Sequence, residues 1–189
     1  MATAAERGRR VRARLIEAAA GLIGERGWAG VSTRLVAERA GVAPGLVHYH
    51  YSSLQALLGE AALQVIGEVA GAAVDGLGPD VGLAEGVDRL VGVLDAFPGD
   101  DPVCYLFTET YLAAARDAEL RGAITGVLEG FRTAVAGWLR GCGAEDPEAT
   151  AAVVTAAVDG MMLHRALDPG LTPAAVSPVL KRMLLGAAP

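Results

Sequence analysis

Residues 31–58 read VSTRLVAERAGVAPGLVHYHYSSLQALL, and the spacing within this stretch decides the fold. Ser32 is a good N-cap for a helix over about 33–40 that buries Leu35, Val36 and Ala40. Gly41 stands where a helix closes on a left-handed residue, and Val42 follows as the hydrophobic anchor of that cap. Pro44 suits the first turn of a next helix, which runs to about Tyr49. Ser52 or Ser53 then caps a long helix, and Ser52 with Gln55 makes a capping box. Ala37, Gly41 and Val47 fall where a helix-turn-helix needs a small residue at the crossing, a glycine at the turn and an apolar plug.

Before this stretch, a helix over about 9–26 places Leu15, Ile16, Ala19, Leu22 and Ile23 on one face, and Gly27 ends it. After it, the long helix runs to about Gly76, where Gly76, Gly78 and Pro79 stop it. A fifth helix spans about 82–97. Asp101-Pro102, Asp117, Asp146-Pro147 and Thr172-Pro173 open four more. The expected class is all-α, with about nine helices. We divide it into a head over 1–53, with a basic N-terminal arm, and a helical body over 54–189.

Composition narrows the function. Hydrophobic residues make up 52% of 189, enough to bury a core, and mean hydropathy is +0.38. No run approaches the ~18 uninterrupted apolar residues of a membrane span, and Arg7, Arg9, Arg10, Arg12 and Arg14 are not followed by the apolar stretch of a secretory signal. We expect a cytoplasmic protein with no membrane partner. Cys104 and Cys142 are isolated thiols without metal spacing. Net charge is −6, but residues 1–58 hold eight arginines against four glutamates, and the remainder eight basic against eighteen acidic residues. A basic head on an acidic body is what is expected when only the head meets a polyanion.

The longer string resembles the N-terminal DNA-binding domain of the TetR family of transcriptional regulators. The resemblance rests on Leu15-Ile16, Ala18-Ala19, Gly27, Ser32-Thr33, Val36-Ala37, Ala40-Gly41-Val42, Pro44-Gly45, the aromatic set His48 to Tyr51, Ser53 and Leu57-Leu58. It implies a homodimer on a palindromic double-stranded DNA operator, with half-sites about one helical turn or a little more apart. It also implies a small-molecule effector that releases the DNA from a cavity in the body by moving the fourth helix. Carried over, Thr33 and Arg34 lie at the backbone and groove edge. Pro44, Gly45 and Leu46 form the groove-facing turn, and His48, Tyr49 and His50 make phosphate and base-edge contacts. Ala43, His48 and Leu54 stand where the family usually has a hydroxyl cap, a tyrosine and a lysine. The head therefore depends on Arg34, on Arg10 and its neighbours in the arm, and on backbone amides. The arm is either a minor-groove reader or a solvated tail, and we favour phosphate contacts.

In the body, Phe97, Tyr105, Phe107, Tyr111, Phe131, Trp138, Met161 and Met162 are expected to line an apolar effector cavity, with Glu109 and His164 as polar handles. Asp159 is a further handle. These charges are equally placed to pair with Arg116, Arg132 or Arg165. The eighth helix is apolar over most of its circumference, so both sides need cover. A second copy supplies one side through Val154, Val158 and Met162, with Val176, Leu180, Met183 and Leu184 of the ninth helix. No catalytic constellation, metal spacing or cofactor motif emerges. The expected function is a repressor that a small, largely apolar ligand releases. The alternatives are a small helical enzyme using Glu109 and His164, a transcriptional activator, or a protein-interaction module.

Overall fold

The structure, a computed structural model, describes residues 3–185, and among them there are nine α-helices and no strand. α1 (Ala4–Arg26) begins earlier than the apolar periodicity predicts. Thr3 accepts from the Glu6 amide at 3.2 Å and donates its own amide to the Glu6 carboxylate at 2.6 Å. This reciprocal cap fixes the start of the helix. The arginine-rich segment is therefore helical, not an extended arm.

Gly27, at φ 73°, ends α1 and leads into a single 3-10 turn, Trp28–Gly30. Ser32 caps α2 (Thr33–Ala40) by accepting from the Leu35 amide, and Gly41 closes it at φ 63°, ψ 41°. The Val42 amide returns to the Ala37 carbonyl at 3.0 Å, completing the glycine cap. α3 (Pro44–His50) follows, and its N-cap Ala43 has no side chain to offer. α4 (Leu54–Asp75) is capped by Ser53, which accepts from the Ala56 amide. The expected Ser52–Gln55 box does not form, because the Gln55 amide oxygen accepts from the Trp28 indole at 2.7 Å.

The remaining elements are α5 (Leu83–Gly92) with a 3-10 extension over Val93–Ala96, α6 (Pro102–Ala114), α7 (Ala118–Gly141), α8 (Pro147–His164) and α9 (Pro173–Leu185). Asp101, Asp117 and Asp146 cap α6, α7 and α8 through their side chains. By length and composition α4 is apolar enough to cross a membrane, yet here it packs between α1 and α7 as a core helix.

Three contacts position the body. The backbone of α1 at Gly24 lies directly on Pro102, where an added Cβ would come within 2.3 Å of the carbonyl oxygen. α5 approaches α7 at Gly86, where a Cβ would fall 2.0 Å from the Trp138 ring, and the Trp138 indole donates to the Val81 carbonyl at 2.8 Å. α9 is tied to α5 by Asp88, which accepts from Ser177 and pairs with Lys181. One continuous apolar cluster runs from Leu15 in α1 to Leu180 in α9.

Candidate DNA-binding surface and effector cavity

The head buries one side of each helix and leaves the other bare. Val36, Ala37, Ala40 and Val47 pack beneath α1, while Arg34, Pro44, Gly45, His48 and Tyr49 are exposed and Thr33, Leu46 and His50 are half-buried. Tyr49 is 80% exposed and meets the His50 ring edge-on, with centroids 5.0 Å apart. A large ring left in water beside basic side chains suits stacking against a nucleic acid backbone or base. Arg10 is exposed on α1.

Arg39 and Arg12 of the head are already engaged. Arg39 forms a two-point pair with Glu25 at 2.6 and 2.7 Å. Arg12 forms another with Glu60 of α4 at 2.5 and 3.0 Å, and its guanidinium lies 5.0 Å over the Tyr51 ring. The buried Tyr51 hydroxyl donates to the same Glu60 at 3.2 Å. Burial, then the Glu60 charge, pushes the Tyr51 hydroxyl up to about 12. This cluster fastens α1 to the start of α4, a role that sequence reasoning missed. The clue available was Glu60, a glutamate set into the apolar start of α4.

Glu109 is not in a cavity. Its carboxylate accepts from the Trp28 backbone amide at 2.7 Å, bridging α6 of the body to the end of α1. His164 is exposed at the end of α8, so the two residues of the enzyme alternative are not brought together. Trp138 is held in the α5–α7 clamp. Met161 is buried elsewhere in the core, Phe97 is half-buried with its carbonyl accepting from Arg165, and Tyr105 is 43% exposed.

Of the expected lining residues, Phe107, Tyr111, Phe131 and Met162 do border a partly open cavity of about 40 Å³ between α4, α5, α6, α7 and α8. Ile66, Leu90, Val127 and Val158 are among the aliphatic residues of its wall, with Thr155 and Asp159 as polar members. The volume exceeds that of one water but is well below the ~300 Å³ of an open small-molecule site. An apolar surface groove of about 280 Å³ lies outside, between α6 and α8. Phe107, Tyr111, Asp159 and Met162 border both spaces and form the partition. Within it the Tyr111 hydroxyl donates to Asp159 at 3.2 Å. Burial is the main cause holding the Asp159 carboxyl above its usual range, and burial followed by the Asp159 charge raises the Tyr111 hydroxyl as well.

The residues expected to meet a second copy divide differently. Val154, Met162 and Leu180 are buried within the protomer, and Val158 lines the cavity. Val176 and Leu184 are half-buried, while Met183 is 65% exposed. Among the described residues, the large apolar side chains left exposed on these helices are Val153, Leu163, Val179 and Met183.

Comparison with known proteins places this geometry. The family model for the tetracyclin repressor-like C-terminal domain matches residues 81–186, more than half of the chain. The model for bacterial regulatory proteins of the tetR family matches residues 15–68. The HTH-type transcriptional regulator BetI of Rhizobium meliloti is 28% identical over 157 residues, spanning 81% of this chain and 76% of BetI. Among solved structures, a TetR-family member from Streptomyces coelicolor is 30% identical, with a TM-score of 0.75 over 92% of this chain and 98% of its own. A transcriptional regulator from Rhodococcus is 25% identical, also at 0.75, over 94% and 95%. With its head and body both matched, the chain belongs to the TetR family of bacterial transcriptional regulators and carries that family's helix-turn-helix DNA-binding domain.

Proposed function

We propose that this regulator is a repressor that holds a palindromic operator as a homodimer in the cytoplasm and lets go when a small, largely apolar effector enters the body. Residues 1–53 act as the reading head and 54–189 as the effector-binding and dimerising body. Pro44, Gly45, Leu46, His48, Tyr49 and His50 face the major groove. Thr33, Arg34 and Arg10 hold the flanking phosphates. The second copy docks on the exposed apolar side chains Val153 and Leu163 of α8 and Val179 and Met183 of α9.

The observation that carries this reading is the placement of α6. Phe107 and Tyr111 border the cavity, while Glu109, on the same two turns, grips the Trp28 amide of the head. A ligand that enlarges a 40 Å³ cavity must displace α6 or α4, and α4 is itself fastened to α1 through Arg12, Glu60 and Tyr51. Either movement changes the separation of two recognition helices in a dimer, biasing the population towards a form that no longer fits successive grooves.

Selection of bound duplexes from a random library tests the proposal. It requires a two-fold-symmetric sequence bound at two protomers per site. Recovery of no preferred sequence at low salt would overturn it.

A further inference from the structure

Asp159 is the one acidic or basic side chain bordering the cavity and the groove, among the described residues. Around it stand three rings, Phe107, Tyr111 and Phe131, and otherwise aliphatic side chains with two threonines. Both threonines are already committed to carbonyls of their own helices, Thr155 to Ala151 and Thr108 to Cys104. A carboxylate offers about four acceptor sites, and Tyr111 fills one at a long 3.2 Å. Arg132 of α7 acts on Asp159 only through space and is itself exposed. From α4 and α5 no titratable group reaches the cavity wall.

A half-buried negative charge with one weak donor is a poor choice for packing alone, because an apolar or amide side chain would avoid the desolvation penalty. Its complement is a positive charge. Aromatic ring faces favour the same sign, since they carry negative quadrupole density. An anion would be repelled, and a neutral guest would gain at most a hydrogen bond to Asp159, without the charge attraction. The rest of the wall is apolar, so the guest needs an apolar bulk around one charge. Cavity and groove together reach the few hundred Å³ of a small-molecule site, about 300.

We propose that the effector is an organic cation with an apolar body, whose ammonium group takes the place of the Tyr111 hydroxyl beside Asp159. This rests on the reading of the chain as an effector-released regulator and names the chemical class of that effector. Breaking the Tyr111–Asp159 hydrogen bond opens the partition between groove and cavity, so entry and recognition are one event. Because burial holds the Asp159 carboxyl above its usual range, acid neutralises it early. Cation binding therefore weakens as pH falls through that carboxyl's titration, with Tyr111 and Arg132 the other titratable groups facing it.

The test uses the full-length protein and two probes of equal shape, phenyltrimethylammonium and its uncharged carbon isostere tert-butylbenzene. Binding is followed by calorimetry and by the rise in thermal midpoint. The expected result is a preference for the cation of about tenfold or more. Asp159→Asn should abolish that preference, and Tyr111→Phe should bind the cation at least as tightly as the wild type. If the neutral probe binds as well as the cation, or Asp159→Asn keeps the preference, the cationic class is overturned and the effector reading stands. If neither probe binds at all, the cavity takes no guest of this size and both readings fall.

Discussion

Glu109→Ala is the most informative single substitution, because the sequence suggests a ligand handle and the structure shows a strut. The Glu109 carboxylate is a partner of the Trp28 amide, 81 residues away in the chain and just past the end of α1. Alanine leaves that half-buried N–H without an acceptor, at a cost of about 1–3 kcal/mol. Glutamine keeps an oxygen in place but loses the charge assistance, so it should cost about half as much or less. For a chain of this size each kcal/mol moves the melting midpoint by about 2–4 °C. Glu109→Ala should therefore melt roughly 2–12 °C lower, and Glu109→Gln less than half as far. Scanning calorimetry reads both. The same variants should respond less to effector, because the link from α6 to the head is loosened. A Glu109→Ala protein that melts within about 1 °C of wild type, or a Glu109→Gln protein that falls as far as alanine, refutes the strut.

Three further outcomes follow from particular contacts. Gly86→Ala pushes a Cβ to 2.0 Å from the Trp138 ring and should destabilise by about 1–3 kcal/mol or more, whereas Gly122→Ala on α7, with nothing within 4 Å, should stabilise by about 0.5–1 kcal/mol; paired urea titrations separate them. The Tyr51 hydroxyl, raised to about 12 in the fold against an ordinary 10, stays protonated after its unfolded counterpart ionises, so its contribution is intact below pH 10 and lost as pH rises to about 12. Tyr51→Phe should flatten that alkaline slope in equilibrium unfolding, and an unchanged slope would contradict the assignment. Met183→Glu, at a side chain 65% exposed, should give folded monomers in sedimentation, whereas Leu180→Ala, 7% exposed, should lower protomer stability by about 2–5 kcal/mol. A Met183→Glu dimer would move the interface elsewhere.

What was legible in the sequence was local. Ser32, Gly41, Pro44, Asp101, Asp117 and Asp146 act within a few residues of themselves, and each stands where capping chemistry puts it. Even the early start of α1 was visible in Thr3 and Glu6, three apart, but the apolar periodicity by which a helix is recognised begins later. Ser52 and Gln55 show the same spacing without forming the box, because a distant indole claims Gln55. Glu109 and Trp138 failed as cavity residues for that reason: chemistry-bearing side chains look functional until a partner 81 or 57 residues away takes them. The apolar circumference of α8 announced two covered sides. It did not say that Val154 and Met162 turn inward while Val153 and Leu163 turn out, since one helical step decides which face meets the core. The cavity assembles from five helices, so only its rings Phe107, Tyr111 and Phe131, Met162 and the lone charge Asp159 were recognisable, and its aliphatic wall was not.

The most direct test of the central claim, that the exposed face of α2 and α3 reads DNA, is operator affinity measured across salt concentration for wild type and Arg34→Ala. Arg34 is exposed on α2 and its loss should leave the fold intact. The account predicts that the logarithm of affinity falls linearly with the logarithm of salt and that Arg34→Ala reduces the slope by about one. Affinity indifferent to salt, or a slope that Arg34→Ala leaves unchanged, would contradict it.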